Sequence, residues 1–310
     1  MIAGVVFVQV LILFVIVGLG FGVGRMKILS ENAKTDFSRF ITTVTLPATI
    51  IQSLLRDYDA RLIKDGLYCL LIGMGLLLVY FPVSMLLRKV LKVREGRKGL
   101  WSFATSISNA GFMGIPVSYA VFGADGAFFA AMFVVAMNII MYSLGMAVLL
   151  KDGKGEKGSF VKKALLNSAN LSTAIGLIIF IGQIQLPDAV TTIIKYLADI
   201  TSPLAMFLIG LYVSGNKLTE IFHDKDVLTS SAVKLLLFPL IAFTVVRLLP
   251  IEAGMNAKNT TLLVMAMPSP AMTMILASRY ECDTDFAGKA VCVSTLFSLV
   301  TIPLIMLLAA

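Results

Sequence analysis

The sequence is poor in the residue types that build most metal and nucleophilic sites. It has one histidine (His223), one tryptophan and three cysteines among 310 residues. A single histidine excludes a histidine-based metal or catalytic cluster. Cys69, Cys282 and Cys292 are scattered, with neither a metal-binding spacing nor a disulfide framework. Charged residues make up only 14% of the chain, against about 25% in an average soluble domain. These absences argue against both a metalloenzyme and a water-soluble fold.

Hydrophobic residues are abundant instead, at 58% of the chain with a mean hydropathy of +0.92. They fall into ten segments, each near the length of about 20 residues that a helix needs to cross a bilayer. The sequence therefore predicts an all-α polytopic protein with ten transmembrane helices, a multi-pass protein of the cell (inner or plasma) membrane. The predicted spans are residues 2–24, 37–55, 63–87, 99–122, 126–150, 163–182, 187–213, 227–249, 258–279 and 283–308.

The basic residues indicate how these spans are oriented. A net charge of +8 would suggest nucleic acid as the partner of a soluble protein, but in a membrane protein cytoplasmic loops collect Lys and Arg. Lys and Arg follow the first span rather than precede it, unlike in a signal peptide. With the N-terminus outside, 20 of the 26 Lys and Arg residues fall on the cytoplasmic side. The distribution predicts ten spans with both termini outside, a lipid bilayer as surroundings and no nucleic-acid partner.

The two halves of the chain resemble each other in where proline occurs. A charged, glycine-rich linker at 151–162 separates a first half (1–150) from a second half (163–310). Five spans per half is an odd number, so the second half would enter the membrane from the opposite side, which predicts an inverted repeat. Three prolines recur after 154 to 157 residues, in the second, third and fourth span of each half: Pro47 with Pro203, Pro82 with Pro239, and Pro116 with Pro270.

Two spans are interrupted near their centres, the fourth at 108–116 (SNAGFMGIP) and the ninth at 267–270 (MPSP). Proline removes a backbone donor and clashes with the carbonyl four residues earlier, so we expect the fourth span to break at Pro116. Backbone freed at membrane depth is tolerated only inside protein or beside a water-filled cavity. Paired interruptions in corresponding halves point to a transporter's binding site. The alternative is two proline kinks without a site.

Two half-helices that begin near Pro116 and Pro270 would direct their positive ends at one point, which suits an anion. Asn, Ser and Thr side chains nearby could donate hydrogen bonds to a carboxylate. Each has an alternative: Asn109 could cap a half-helix, Asn138 could join two helices, and serines and threonines often bond their own helix. The glycines would permit the turn and a close helix crossing. The candidate binding residues are Asn109, Gly111, Gly114, Pro116, Asn138, Ser269, Pro270 and Thr273.

Asp199 and Lys234 are ionisable residues that we place at membrane depth, where burial of charge is costly. Asp199 is placed before Pro203, and it would titrate in a proton-coupled cycle or bind a cation. Alternatively its carboxylate bonds to backbone freed by that proline, or pairs with Lys195. Lys234 would either extend along its helix to the cytoplasmic surface or help to neutralise an anionic substrate.

The interrupted fourth span resembles the fourth-helix motif of the auxin efflux carrier family, which includes plant PIN proteins and bacterial malate-permease-like members. Residues 203–211 and 266–271 resemble further motifs of that family, so the similarity covers nearly the whole chain. The resemblance implies an inverted repeat like that of bile-acid symporters and NhaA, with Asn109, Pro116 and Pro270 at a crossover of spans four and nine. It also implies a scaffold, often dimeric, of spans 2–24, 37–55, 163–182 and 187–213, beside a mobile transport domain of 63–150 and 227–308.

The function predicted is secondary transport of a small organic anion, a mono- or dicarboxylate such as malate. An elevator-like movement would expose the crossover to each side in turn. No cofactor is implied. The alternative within this class is obligatory symport with Na⁺ or H⁺. From a different class, the chain could be a ligand sensor that does not transport, although its loops are too short to house an output domain. An enzyme is not predicted, because no Asp pair or Ser/Lys dyad lies at membrane depth.

Overall fold

The computed structural model describes residues 2–30, 32–57, 59–150, 168–215 and 223–309. Within these ranges the protein is all-helical and contains no strand. The predicted linker at 151–162 and the first residues of the predicted sixth span, 163–167, lie outside the described residues. The described part of the chain therefore has the all-α fold class that hydropathy predicted.

The first half contains seven helices among its described residues. They are α1 (Ile2–Arg25), α2 (Ala33–Phe40), α3 (Leu46–Leu54), α4 (Ala60–Val90), α5 (Lys98–Ser106), α6 (Ile115–Ile140) and α7 (Met146–Leu149). The described part of the second half contains seven more. They are α8 (Ser168–Gly182), α9 (Asp188–Ser214), α10 (Lys225–Ala232), α11 (Phe238–Leu248), α12 (Met255–Met265), α13 (Met272–Arg279) and α14 (Thr284–Ala309).

Five helical stretches of the described residues are long and apolar enough to cross a membrane, and two shorter apolar helices accompany them. A helix satisfies most of its backbone hydrogen bonds internally, as a hydrocarbon environment requires. The five are Ala60–Val90, Lys98–Leu149, Asp188–Ser214, Lys225–Leu248 and Thr284–Leu308, and the shorter two are Phe14–Arg25 and Asn170–Gly182. The protein is thus a polytopic helical membrane protein.

Wide π turns join several helices end to end. Those in the described residues are Ile41–Thr45, Ala110–Gly114, Met141–Gly145 and Val233–Leu237. The first, second and fourth each stand two residues before a proline, at Pro47, Pro116 and Pro239. The wider turn separates the proline ring from the carbonyl with which it would clash in an α-helix. Pro203, the predicted counterpart of Pro47, lies inside α9, and Pro82, the predicted counterpart of Pro239, lies inside α4. The prolines therefore recur in position but not in local structure.

The break in the fourth span does not lie at Pro116, as the sequence predicted. The helix stops at 107–109, between α5 and the π turn Ala110–Gly114, and Pro116 is the second residue of α6. The chain keeps a helical path through the proline because the π turn absorbs the steric conflict. Farther along α6, Gly123 has φ 67° and ψ −155°, a conformation that favours glycine and kinks the helix between the predicted fourth and fifth spans.

The helices pack into two groups, which also contact each other where α1 lies against α14. In the first, α1 lies along α9, and α3 packs on both α8 and α9. The contact between α1 and α9 is very close, since a Cβ atom on Gly20 would lie 2.1 Å from the carbonyl oxygen of Phe207. In the second group α6 packs on α4 and α12, and α14 packs on α10 and α13. This second group contains both interrupted spans.

Candidate functional site

The two interruptions meet and satisfy each other's backbone. The N–H of Asn109 donates to the carbonyl of Pro268 at 2.8 Å. The Ser269 hydroxyl donates to the carbonyl of Ala104, also at 2.8 Å, and Ser269 is fully buried. A backbone N–H or carbonyl without a hydrogen bond is energetically unfavourable at membrane depth. Each break therefore supplies hydrogen-bond partners that the other break lacks. We call this contact the crossover.

A cavity of about 110 Å³, the crossover cavity, lies on one side of this contact. Asn109, Gly111, Asn138 and Pro270 line it, so four of the predicted binding residues are brought together. The remaining lining residues are Thr42, Leu46, Ser108, Phe112, Val134, Met137, Met141, Tyr142, Ser168 and Met272.

Asn109 holds an unpartnered amide group at the crossover cavity. Its side chain makes no capping hydrogen bond to the π turn that follows, so the capping alternative is wrong. The Nδ2 atom is buried and has no hydrogen-bond partner, and the residue is only 2% exposed. A buried donor without a partner is destabilising by about 1–3 kcal/mol. A ligand that accepts a hydrogen bond from Nδ2 would remove that penalty.

Asn138 joins two helices, as one alternative predicted, and it also borders the crossover cavity, while its contact with a ligand stays a prediction. Its Nδ2 atom donates to Oδ1 of Asn170 on α8, at 3.0 Å, and the residue also lines the crossover cavity. The sequence analysis did not select Thr42, Tyr142 and Ser168, which line the same cavity. For Thr42 and Tyr142 the available signal was a polar residue in an apolar span. Ser168 lies close to the linker, near the start of the predicted sixth span, so its polarity gave no comparable signal.

Lys234 is fully buried and does not extend to the cytoplasmic surface, so that alternative is wrong. Its Nζ atom donates to the hydroxyl oxygen of Ser108 at 2.6 Å, so the expectation that no Ser/Lys pair lies at membrane depth is wrong. Because Ser108 lines the crossover cavity, the ammonium lies one side chain behind the cavity wall. Among the described residues no carboxylate forms an ion pair with Lys234.

A second cavity, of about 690 Å³, contains the predicted residues Pro116 and Asp199. It also contains Lys195, but no ion pair or hydrogen bond joins Lys195 to Asp199, and the Asp199 carboxylate bonds to none of the described backbone. Both alternatives for a structural role of Asp199 are therefore wrong. Both cavities border α3, which contributes Thr49 and Gln52 to the second cavity and Leu46 to the crossover cavity.

The other predicted binding residues are buried away from both cavities. Ser269 uses its hydroxyl to join the two breaks, and Gly114 packs where a Cβ would meet Val264 at 3.5 Å. Thr273 is fully buried, and its hydroxyl has no hydrogen-bond partner. These residues shape the crossover without reaching either cavity.

A cluster of charges joins the ends of three helices beyond the crossover. Arg97, just before α5, donates through Nη1 to Asp224 at 2.6 Å and through Nε to Asp283 at 2.5 Å. Burial by itself would raise the pKa of the Asp224 carboxyl, but the hydrogen bond and charge of Arg97 lower it below its usual range. The Asp224 carboxylate also caps α10 by accepting from the N–H of Asp226 at 3.0 Å. The sequence analysis missed this cluster.

Comparisons with known proteins agree with this architecture. The family model described as membrane transport protein matches residues 5–306. The chain is 27% identical over 296 residues to an uncharacterized transporter of Methanothermobacter thermautotrophicus, covering 95% of both proteins. It is 26% identical over 300 residues to uncharacterized transporter MJ1031 of Methanocaldococcus jannaschii, covering 95% of this chain and 96% of that protein. It is also 22% identical over 302 residues to uncharacterized transporter YfdV of Escherichia coli, covering 94% of each. The resemblance to the auxin efflux carriers is thereby confirmed: the chain belongs to the membrane transport protein family.

Proposed function

We propose that this protein is a secondary transporter that binds a small organic anion, a mono- or dicarboxylate such as malate, at the crossover. The proposal rests mainly on one observation: the wall of the crossover cavity holds the unpartnered amide of Asn109 and, one side chain behind, the ammonium of Lys234. A carboxylate would accept a hydrogen bond from the first and supply the counter-charge to the second.

The size and chemistry of the crossover cavity favour a compact anion. Its volume is about 110 Å³, and its polar side chains include two amides and the hydroxyls of Thr42 and Ser168. An amide recognises a carboxylate without bringing a second fixed charge into the membrane, so the ligand is held but can leave. Dipoles at the start of the π turn beyond Asn109 would add to the attraction for negative charge.

The proposed topology is ten spans in two inverted repeats, residues 1–150 and 163–310, joined by the linker 151–162 and with both termini outside. The two packing groups support a division into a scaffold of α1–α3, α8 and α9 and a transport domain of α4–α7 and α10–α14. Dimerisation through the scaffold is part of the proposal and comes from the family resemblance. Transport rather than catalysis is the activity of this family.

Alternating access is supported by the positions of the cavities. Both cavities border α3, and they also share the stretch from the π turn Ala110–Gly114 into α6, with Gly111 lining the crossover cavity and Pro116 the second cavity. Movement of the transport domain against the scaffold would carry the Asn109 site from one cavity towards the other. This is the elevator-like cycle that we propose.

The test is uptake of labelled malate and labelled lactate into proteoliposomes, with protein-free liposomes as background. We expect saturable uptake, reduced about tenfold or more by Asn109→Ala, since a hydrogen bond to a charged group contributes about 1.5–3 kcal/mol. Asn259→Ala is the matched control, because Asn259 is a buried amide on α12 outside both cavities. Saturable binding without uptake would instead favour the sensor, and neither binding nor uptake by folded protein would contradict an anion site.

A further inference from the structure

We propose that Lys234 carries the coupling ion of the transport cycle, so that one proton moves with each anion. This inference rests on the proposed function and extends it by naming both the ion and the residue that holds it. It replaces Asp199, which lines the second cavity and lies apart from the crossover.

The backbone around Lys234 places its side chain at the crossover. Lys234 lies in the π turn Val233–Leu237, and π turns occur frequently at functional sites. The Nζ atom donates to Ser108 Oγ, and Ser108 also lies 3.5 Å from the carbonyl of Met265, which ends α12. The lysine is therefore held between both interrupted spans, at the wall of the crossover cavity.

Among the residues that the structure describes, no neighbouring charge balances this ammonium. The turn packs against α5, α10, α11 and α14. Asp226, on α10, is turned towards Arg94 and Arg97, with which it pairs at 3.5 and 3.8 Å, and Asp285 pairs with Lys289 at 2.6 Å. None of the titratable or charged groups on these four helices bonds to Lys234; they are Lys98, Lys225, Asp226, Arg247, Asp285, Lys289 and the buried thiol of Cys292.

An isolated ammonium in a hydrocarbon surrounding is unfavourable by several kcal/mol, whereas the neutral amine is tolerated. A carboxylate bound at Asn109 and Ser108 would provide the missing counter-charge. Protonation of Lys234 and binding of the anion therefore favour each other, and this coupling is reciprocal. When the anion leaves, the ammonium loses its partner and releases its proton, through the Ser108 hydroxyl, into the cavity.

The charge balance follows directly. On one side the neutral amine takes up one proton and one anion, forming an N–H bond and an ion pair. On the other side the same N–H bond breaks, and proton and anion leave together. A monocarboxylate would move without net charge, whereas a dicarboxylate would carry one negative charge per cycle.

Two substitutions separate charge from proton transfer. Lys234→Met removes the charge and the proton, and Lys234→Arg keeps a charge that does not dissociate in proteins. We expect Lys234→Met to reduce both proton-driven uptake and exchange of labelled for unlabelled malate about tenfold or more, within the range of typical coupling factors. Lys234→Arg should retain exchange but lose net uptake, because the arginine cannot release its proton. Lys289→Met is the control lysine, on α14 and paired with Asp285.

The experiment measures malate and lactate uptake in proteoliposomes that contain a pH-sensitive dye, under a proton gradient, a sodium gradient or neither. The proposal expects uptake driven by the proton gradient, with one proton entering per anion for both substrates. Because the dye reading on the unmodified protein needs no variant, a variant that fails to fold leaves the test intact.

Uptake without a dye response, or driven by sodium alone, overturns the proton coupling and leaves anion transport standing. Proton-driven uptake that persists in Lys234→Met overturns the role of Lys234. The absence of uptake for every anion overturns the proposed function together with this inference.

Discussion

Two cations in this protein are buried under opposite conditions. Arg97 has a side chain that is 12% exposed and is surrounded by Asp224, Asp226 and Asp283, at distances from 2.5 to 3.8 Å. Lys234 is fully buried and has one neutral hydroxyl as its partner. The chain itself balances the charge of Arg97, whereas no carboxylate of the described residues would balance Lys234 when it is protonated.

The contrast indicates how to read buried charge in a membrane protein. A cation that its own protein neutralises ties helices together, and Arg97 does so for the ends of α5, α10 and α14. A cation that is left without a counter-charge keeps an unfavourable energy that a ligand can relieve. The comparison therefore predicts a stabilising role for Arg97, and under the proposed function a transport role for Lys234, and three measurements of stability test it.

The largest effect is expected for Arg97→Met. This change leaves three carboxylates close together without their shared cation, and breaking a buried ion pair in this way destabilises by about 3 kcal/mol. The melting temperature in detergent should fall clearly. Arg94→Met is the matched control, because Arg94 pairs with Asp224 and Asp226 but is 60% exposed, so its loss should matter little. Equal effects of the two variants would contradict the structural role of Arg97.

A smaller effect is expected on acidification. The pKa of Asp224 is lowered in the folded protein, so its contribution to stability is present above the unfolded value near pH 3.9 and is lost as the pH falls through the folded pKa. Asp224→Asn keeps an oxygen that can cap α10 but cannot titrate. The difference in melting temperature between the original protein and this variant should be constant from pH 7 to about pH 5 and shrink below about pH 4. A difference that stays constant down to pH 3 would contradict this.

The smallest effect, and of opposite sign, is expected for Lys234→Met. In the ligand-free protein Lys234 is a buried amine that gives up its proton on folding, so replacing it with an apolar side chain of similar length is neutral or stabilising, by about 1 kcal/mol. Thermal unfolding of the ligand-free protein in detergent measures it. A clear loss of stability, comparable with that of Arg97→Met, would mean that Lys234 has a structural partner and would remove the contrast between the two cations.

Much of the helical architecture could be predicted from the sequence, because hydropathy is a property of each segment alone. The interruption at 267–270 lies where its prolines placed it, between α12 and α13. The first interruption does not, since Pro116 is accommodated by a π turn and the chain opens at 107–109 instead. A proline shows that a regular helix is disturbed, but not whether the helix breaks or widens.

The site was harder to predict, because side-chain partners depend on which helices meet. The position of Lys234 in its span was equally consistent with extension to the surface and with burial, and only the packing of Ser108 against it decided the outcome. Arg97 and Asp283 are 186 residues apart in sequence, so nothing local linked them. Asn109 does line a cavity at the crossover, and its role in binding a substrate stays a prediction.

The wide turns also constrain how this chain can vary. In an α-helix each residue turns the next by about 100°, so the loss of one residue within a regular span rotates everything beyond it onto another face. A π turn contains one residue more than an α turn. If the following proline is also replaced, the π turn can lose that residue and become an α turn without a steric clash, and the span is then one residue shorter. Related sequences should therefore show single-residue gaps at Ile41–Thr45 and Val233–Leu237 together with loss of Pro47 or Pro239, and uninterrupted alignment through the rest of those helices.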